Sequence, residues 1–192
     1  MKKQPEITDA TRNAFIDAFC KLYKKTPIEK ISIGQVTNAA GYNRTTFYHY
    51  FKDIYDLLTY IEDNVILHVK ENILANIRGG NLEQEFILSF TKMYEGREQY
   101  VKALLANPNS ARFIERLKME MFHALIDVFS LPKDDVMVTY ILDFYLSAVL
   151  SVISRWIKNQ GDIPQAELAA LIRDMLTKGV LPQLNKRHMG RN

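Results

Sequence analysis

Between Gly41 and Phe51 the chain reads GYNRTTFYHYF. Six of these eleven residues are aromatic or histidine, and among them stand a guanidinium, two threonine hydroxyls and a carboxamide. These are groups for gripping rather than for making bonds. A guanidinium can hold a guanine edge through two parallel hydrogen bonds, for about 1–3 kcal/mol of discrimination between bases, and it suits a phosphate oxygen equally. Thr45 is short enough to approach a base closely and to set its methyl against a thymine. The hydroxyls of Thr46 and Tyr48 suit phosphate oxygens. Aromatic rings at this density are also the material of a core, so the residue types alone leave open whether the stretch is interior or contact surface.

Bond-making chemistry has no comparable cluster. The four histidines, His49, His68, His123 and His188, form no H-E-x-x-H or Cys/His pattern, and Cys20 is the only cysteine. No structural zinc site is expected. Glu120 and His123 share a helix face as a local pair, and Asp134–Asp135 falls at a helix start, where acids favour the dipole. The chain has no G-x-S-x-G, P-loop or G-x-G-x-x-G. Neither a cofactor nor an enzymatic activity is expected.

Composition agrees with a self-sufficient globular chain: 192 residues, 47% hydrophobic and 24% charged. A lone cysteine allows no internal disulfide, and the N-terminal MKKQPEITDATRN has no apolar core like that of a signal peptide. No apolar run reaches about 18 residues, so no membrane-spanning helix is expected and a cytoplasmic location is. The net charge of +3 is unevenly spread. Residues 1–52 hold nine Lys and Arg against four acids, whereas residues 53–192 hold sixteen against eighteen. The first quarter is the better surface for a polyanion.

The elements that must hold the gripping residues read as helices almost throughout. Ala14, Phe15, Ala18, Phe19, Leu22 and Tyr23 place a first helix at about Asp9–Lys24, which Pro27 ends. Ser32 and Gln35 have the spacing of a capping box for a short second helix, and Gly41 suits its end. Asn43 then caps a third helix, Arg44 to about His49, on which Phe47 must face inward. Two short helices joined by a tight glycine turn make a helix-turn-helix pattern. A longer helix follows at about 53–76, and further helices at about 82–94, 97–106, 110–129, 134–159 and 165–178. The fold class is all-α, with about nine helices. The helix at 134–159 is apolar around most of its circumference, which means burial on every side.

From about Ala14 to Leu58 the chain resembles the DNA-binding domain of the TetR family of bacterial transcriptional regulators. Ser32 matches the family's helix cap and Val36 its isoleucine; Ala40 and Gly41 match directly, while Tyr42 and Asn43 stand for its valine and serine. Thr46 to Phe51 match the closing Thr-apolar-Tyr-x-x-Phe run, and Leu57 and Leu58 the start of the next helix. Two positions depart from the pattern. Thr37 replaces a small alanine, and Ile54 sits where a lysine near the DNA backbone is common, with Lys52 two residues earlier as a substitute. WIKNQGDIP, at 156–164, also resembles the Trp-then-Gly turn of a branch that includes activator-like and dihydroxyacetone-utilisation regulators.

The resemblance implies a helix-turn-helix DNA-binding domain at 1–52 and a helical regulatory and dimerisation domain at 53–192. It implies a sequence-specific transcriptional regulator, acting as a homodimer on a palindromic operator in double-stranded DNA. It further implies a repressor released by an effector, either a small molecule or a protein. The DNA contacts expected are Lys30, Ser32, Gln35, Asn43, Arg44, Thr45, Thr46, Tyr48, His49 and Lys52, with the roles of Tyr48 and His49 implied by the resemblance. An effector pocket is expected among Met93, Tyr94, Tyr100, Phe113, Met119, Phe122, Tyr140 and Phe144. A four-helix dimer seam is expected from Tyr145, Val149, Val152, Ile153, Trp156, Leu168, Leu171, Ile172, Met175 and Leu176. Two alternatives stand beside this reading: a coregulator that keeps the fold but answers to a protein partner, and a helical ligand-binding protein or enzyme without DNA binding.

Overall fold

The computed structural model describes residues 5–77, 97–107 and 109–180, and every regular element among them is helical. The helices are α1 (Pro5–Tyr23), α2 (Ile33–Ala40), α3 (Arg44–Tyr48), α4 (Ile54–Ile77), α5 (Glu98–Ala106), α6 (Ala111–Val128), α7 (Val136–Lys158) and α8 (Gln165–Met175). A 3-10 turn, Ile28–Lys30, precedes α2, and a π turn, Leu176–Val180, follows α8. The helix expected at about 82–94 lies outside the described residues. α1 starts four residues before the expected Asp9, with Pro5 in the first turn, where its missing N–H removes no helical bond.

The described residues divide into two compact units. The first runs up to Val65 and takes in Arg97–Ala111 as well, so α5 belongs with α1–α3. Its centre is aromatic: Phe15, Phe19 and Phe47 are fully buried, with Val36, Phe51, Leu57 and Ile61 around them. α1 packs against α2 and against α5. α5 contributes Val101, Leu104 and Leu105 to the core. Polar ties reinforce this packing. Asp17 accepts hydrogen bonds from Gln99 Nε2 (2.7 Å) and from the Tyr100 hydroxyl (3.1 Å). The buried Asn107 donates to the Tyr23 carbonyl at 2.6 Å, satisfying an orphan acceptor at the end of α1.

The second unit is built on α6, α7, α8 and the latter part of α4. Phe113, Leu117 and Met121 of α6, Leu142, Leu146 and Leu150 of α7, and Leu168 and Ile172 of α8 are buried. Lys70 on α4 pairs with Glu120 on α6 at 2.7 Å, and Lys118 on α6 with Asp143 on α7 at 3.1 Å. The corner between α7 and α8 is clamped by the Trp156 indole, whose Nε1–H donates to the Ile163 carbonyl at 2.8 Å. Gly161 turns that corner at φ +75°, a value that favours glycine, and any Cβ there would meet the indole at 3.4 Å. Contrary to the expectation from apolar runs, α7 is long and apolar enough to cross a membrane, by length and composition alone, with a mean hydropathy of 2.0 over its best 18-residue window. Only a third of that window is buried.

Candidate nucleic-acid interface

Each helix of the α2–α3 pair is too short to be stable alone, so its ends matter. At the start of α2, Ser32 Oγ accepts from Gln35 N (3.2 Å) and Gln35 Oε1 accepts from Ser32 N (2.8 Å). This is the reciprocal capping box that the sequence spacing predicts. At its end Gly41 takes the left-handed conformation, φ +76°, and the Tyr42 N–H returns to the Thr37 carbonyl at 3.0 Å. Asn43 caps α3, its Oδ1 accepting from Thr46 N (2.8 Å) and from the Thr46 hydroxyl (3.0 Å). Asp53 and Asp56 cap α4 in the same way: Asp53 Oδ1 accepts from Asp56 N, and Asp56 Oδ2 accepts from Lys52 N.

The five-residue α3 is anchored on one side only. Phe47 sits edge-on to Phe15 at 5.4 Å between ring centres and packs with Phe51 at 5.6 Å. Tyr42 and Tyr50 both pack on Phe15, at 5.3 and 6.0 Å. The Thr11 hydroxyl donates to the Tyr42 oxygen at 3.4 Å. The Arg12 guanidinium lies over the rings of Tyr50 and Tyr60, at 5.8 and 5.7 Å from their centres. Nothing in the sequence periodicity signals this cation–π arrangement. The two positions that depart from the family pattern have plain structural accounts. The Thr37 hydroxyl is buried and donates to the Gly34 carbonyl at 3.2 Å, and Ile54 is buried in the core.

The opposite side of the pair carries the residues singled out by sequence. Lys30, Ser32, Gln35, Asn43, Arg44, Thr45, Tyr48, His49 and Lys52 are all exposed, Tyr48 at 57% despite its apolar ring. Thr46 is only half-buried and its hydroxyl proton is committed to Asn43, so it acts in the cap before it can act as a donor to anything else. Among the described residues, Lys30, Arg44 and Lys52 form no ion pair. Their cationic heads are exposed and uncompensated.

The other predicted sets scatter. Met93 and Tyr94 lie outside the described residues. Tyr100 belongs to the first unit, where burial, then the Asp17 carboxylate, pushes its phenol up from the ordinary range. Phe113 is buried core, and Phe122 is half-buried and edge-on to His123. Met119 is half exposed at 48%, while Tyr140 and Phe144 are 66% and 70% exposed on α7, not inside the chain. Of the seam residues, Tyr145, Ile153, Leu168, Ile172 and Leu176 are buried within the single chain. Their own chain covers most of their surface. Val149 and Trp156 are half-buried, while Val152, Leu171 and Met175 are exposed. The apolar stripe that remains on α7 runs one turn apart through Tyr140, Phe144, Ala148 and Val152. A helix apolar on every side gives no sequence signal for which stripe is left open.

Residues 80–178, over half of the chain, match the family pattern of a transcriptional regulator C-terminal region of the TetR type. No curated protein matches the sequence. Solved structures do resemble the fold. The fatty acid degradation regulator FadR from Bacillus halodurans superimposes with a TM-score of 0.70 at 13% identity, over 94% of this chain and 99% of that one. The dihydroxyacetone kinase operon activator DhaS gives 0.63 at 16% identity, over 92% and 97%. A TetR transcriptional regulator from Streptococcus agalactiae 2603V gives 0.61 at 19%, over 89% and 96%. With the helix-turn-helix geometry and the matched C-terminal region together, the chain belongs to the TetR family of DNA-binding transcriptional regulators.

Proposed function

We propose that the chain is a homodimeric, sequence-specific regulator that sets α3 into the DNA major groove. It acts as a cytoplasmic, non-enzymatic repressor, released when an effector binds the C-terminal domain. Residues 1–52 are the DNA-binding head and residues 53–192 the regulatory and dimerisation part. The observation that carries this reading is the one-sided anchoring of α3. Phe47 is fully buried, while Arg44, Thr45, Tyr48 and His49 are exposed, as are the uncompensated Lys30 and Lys52. A groove helix needs this division, with apolar residues behind it and donors and cations in front. Arg44 and Thr45 are the base-edge readers. Tyr48, Ser32, Gln35, Lys30 and Lys52 hold phosphates and fix the register, and His49 takes a phosphate or a base edge. Asn43 and Thr46 serve through the cap.

The exposed stripe Tyr140–Phe144–Ala148–Val152, with Leu171 and Met175 of α8, supports the homodimer. Two helices from each protomer would bury it as a four-helix seam. A two-fold dimer then addresses half-sites about 34–36 Å apart, and an effector that alters the spacing of the heads releases the operator.

The test is selection of bound fragments from the protein's own genome, followed by binding assays. A palindromic site is expected. Arg44→Ala should cost about 1–3 kcal/mol and relax preference at one position of each half-site. Tyr48→Phe should weaken all sequences alike and leave the salt slope unchanged, whereas Lys52→Ala should make the slope shallower. Absence of sequence preference at every salt concentration would overturn the reading.

A further inference from the structure

Gly34 lies in the first turn of α2, and its backbone does not need glycine: unlike Gly41, it has no positive φ. A glycine within a helix lowers stability relative to alanine, so the position sacrifices helix propensity without a conformational reason. The reason is space. A Cβ at Gly34 would stand 2.8 Å from Arg44 Nη2, and 3.7 Å from both Cζ and Nε. The guanidinium of the first α3 residue therefore lies against the bare Cα of α2. No carboxylate or carbonyl among the described residues holds that guanidinium in place. An arginine side chain is rich in rotamers, and its reading power depends on the direction of its planar fork. Here the direction is set by a steric slot.

We infer that Gly34 is a positioning residue for Arg44, its missing side chain forming the slot that holds the guanidinium in the orientation it presents to DNA. This rests on the DNA-binding reading above, and it adds a residue that makes no contact through a side chain of its own. The clash with an added methyl falls on the far end of a flexible side chain, so alanine at position 34 displaces Arg44 and leaves the fold intact.

The experiment compares the full-length protein with Gly34→Ala, Arg44→Ala and the double variant, on an operator selected from the genome, by equilibrium binding and thermal unfolding. Gly34→Ala is expected to melt a few degrees higher and to bind about tenfold more weakly. In the Arg44→Ala background the same methyl should change binding by less than about twofold. Unchanged binding by Gly34→Ala overturns the inference. So does an equal loss in both backgrounds, since that would mean the methyl obstructs DNA directly. If the unmodified protein prefers no sequence, the DNA-binding reading itself fails and takes this inference with it, a result that no variant is needed to recognise.

Discussion

The α2–α3 pair and the α7–α8 pair each leave part of their surface open, and they do so in opposite ways. The first pair is two helices of eight and five residues, held by caps and by one buried ring, with charge and hydroxyls outside. The second is two helices of 23 and 11 residues, held by the Trp156 clamp and by buried apolar residues on each, with Tyr140, Phe144 and Met175 outside. A charged, capped face offers directional bonds that salt weakens. An apolar stripe offers area, without direction and with little response to salt. One chain thus carries a charged surface of the kind that meets a polyanion and an apolar one that the proposed dimer would bury, and each is open to a different attack.

The largest effect is expected on the apolar side. Phe144→Asp would put an unpaired carboxylate into the proposed seam, at a cost on the order of 3–5 kcal/mol. The dimer dissociation constant should rise by roughly a thousandfold in sedimentation equilibrium, with the helicity of the chain retained. An unchanged mass would place the seam elsewhere. On the polar side the corresponding change is smaller. Asn43→Ala removes the acceptor of the Thr46 N–H and should cost α3 about 1 kcal/mol. Faster amide exchange at Thr46 and Phe47, with dimer mass unaffected, is the expected signature. If the dimer weakens too, the two surfaces are not independent.

The smallest effect concerns the ion pair between α4 and α6. The Lys70 ammonium, hydrogen-bonded to Glu120, holds that carboxyl below its usual range. A lowered folded pKa means that the contribution is present above the unfolded carboxylate value and is lost as pH falls through the folded one. Both groups are substantially exposed, Lys70 at 33% and Glu120 at 46%, so the contribution stays below about 1 kcal/mol. Glu120→Gln should flatten the acid limb of the stability curve slightly, and added salt should do the same to the unmodified protein. A steep acid limb in the variant would show that other carboxylates govern it.

Legibility in the sequence divides along the same line. Ser32–Gln35, Gly41 and Asn43 act on neighbours within three to five residues, so type and spacing suffice, and the structure shows each of them as an end signal. Tyr42 and Tyr50 were legible only as aromatic, because their partner Phe15 lies on another helix. The attachment of α5 to α1 has no local signal either, since Gln99 and Asp17 are 82 residues apart. On α7 the periodicity itself gives no direction. With apolar residues all round, nothing local distinguishes Tyr145, which is buried, from Phe144, which is open. The slot at Gly34 depends on an arginine ten residues on and on the turn between them, which no spacing rule describes.

The clamp at the α7–α8 corner has an optical consequence. Trp156 is the only tryptophan in the chain, and its indole is fixed by Ile163 and lies against the backbone of Gly161. With excitation selective for tryptophan, its emission reports on that corner alone, because the DNA-binding head holds tyrosines but no tryptophan. A spectral shift on titrating operator DNA would not record the contact itself. It would record that the contact had been felt at the α7–α8 corner in the second unit, which makes coupling between the two units measurable by fluorescence with no label attached.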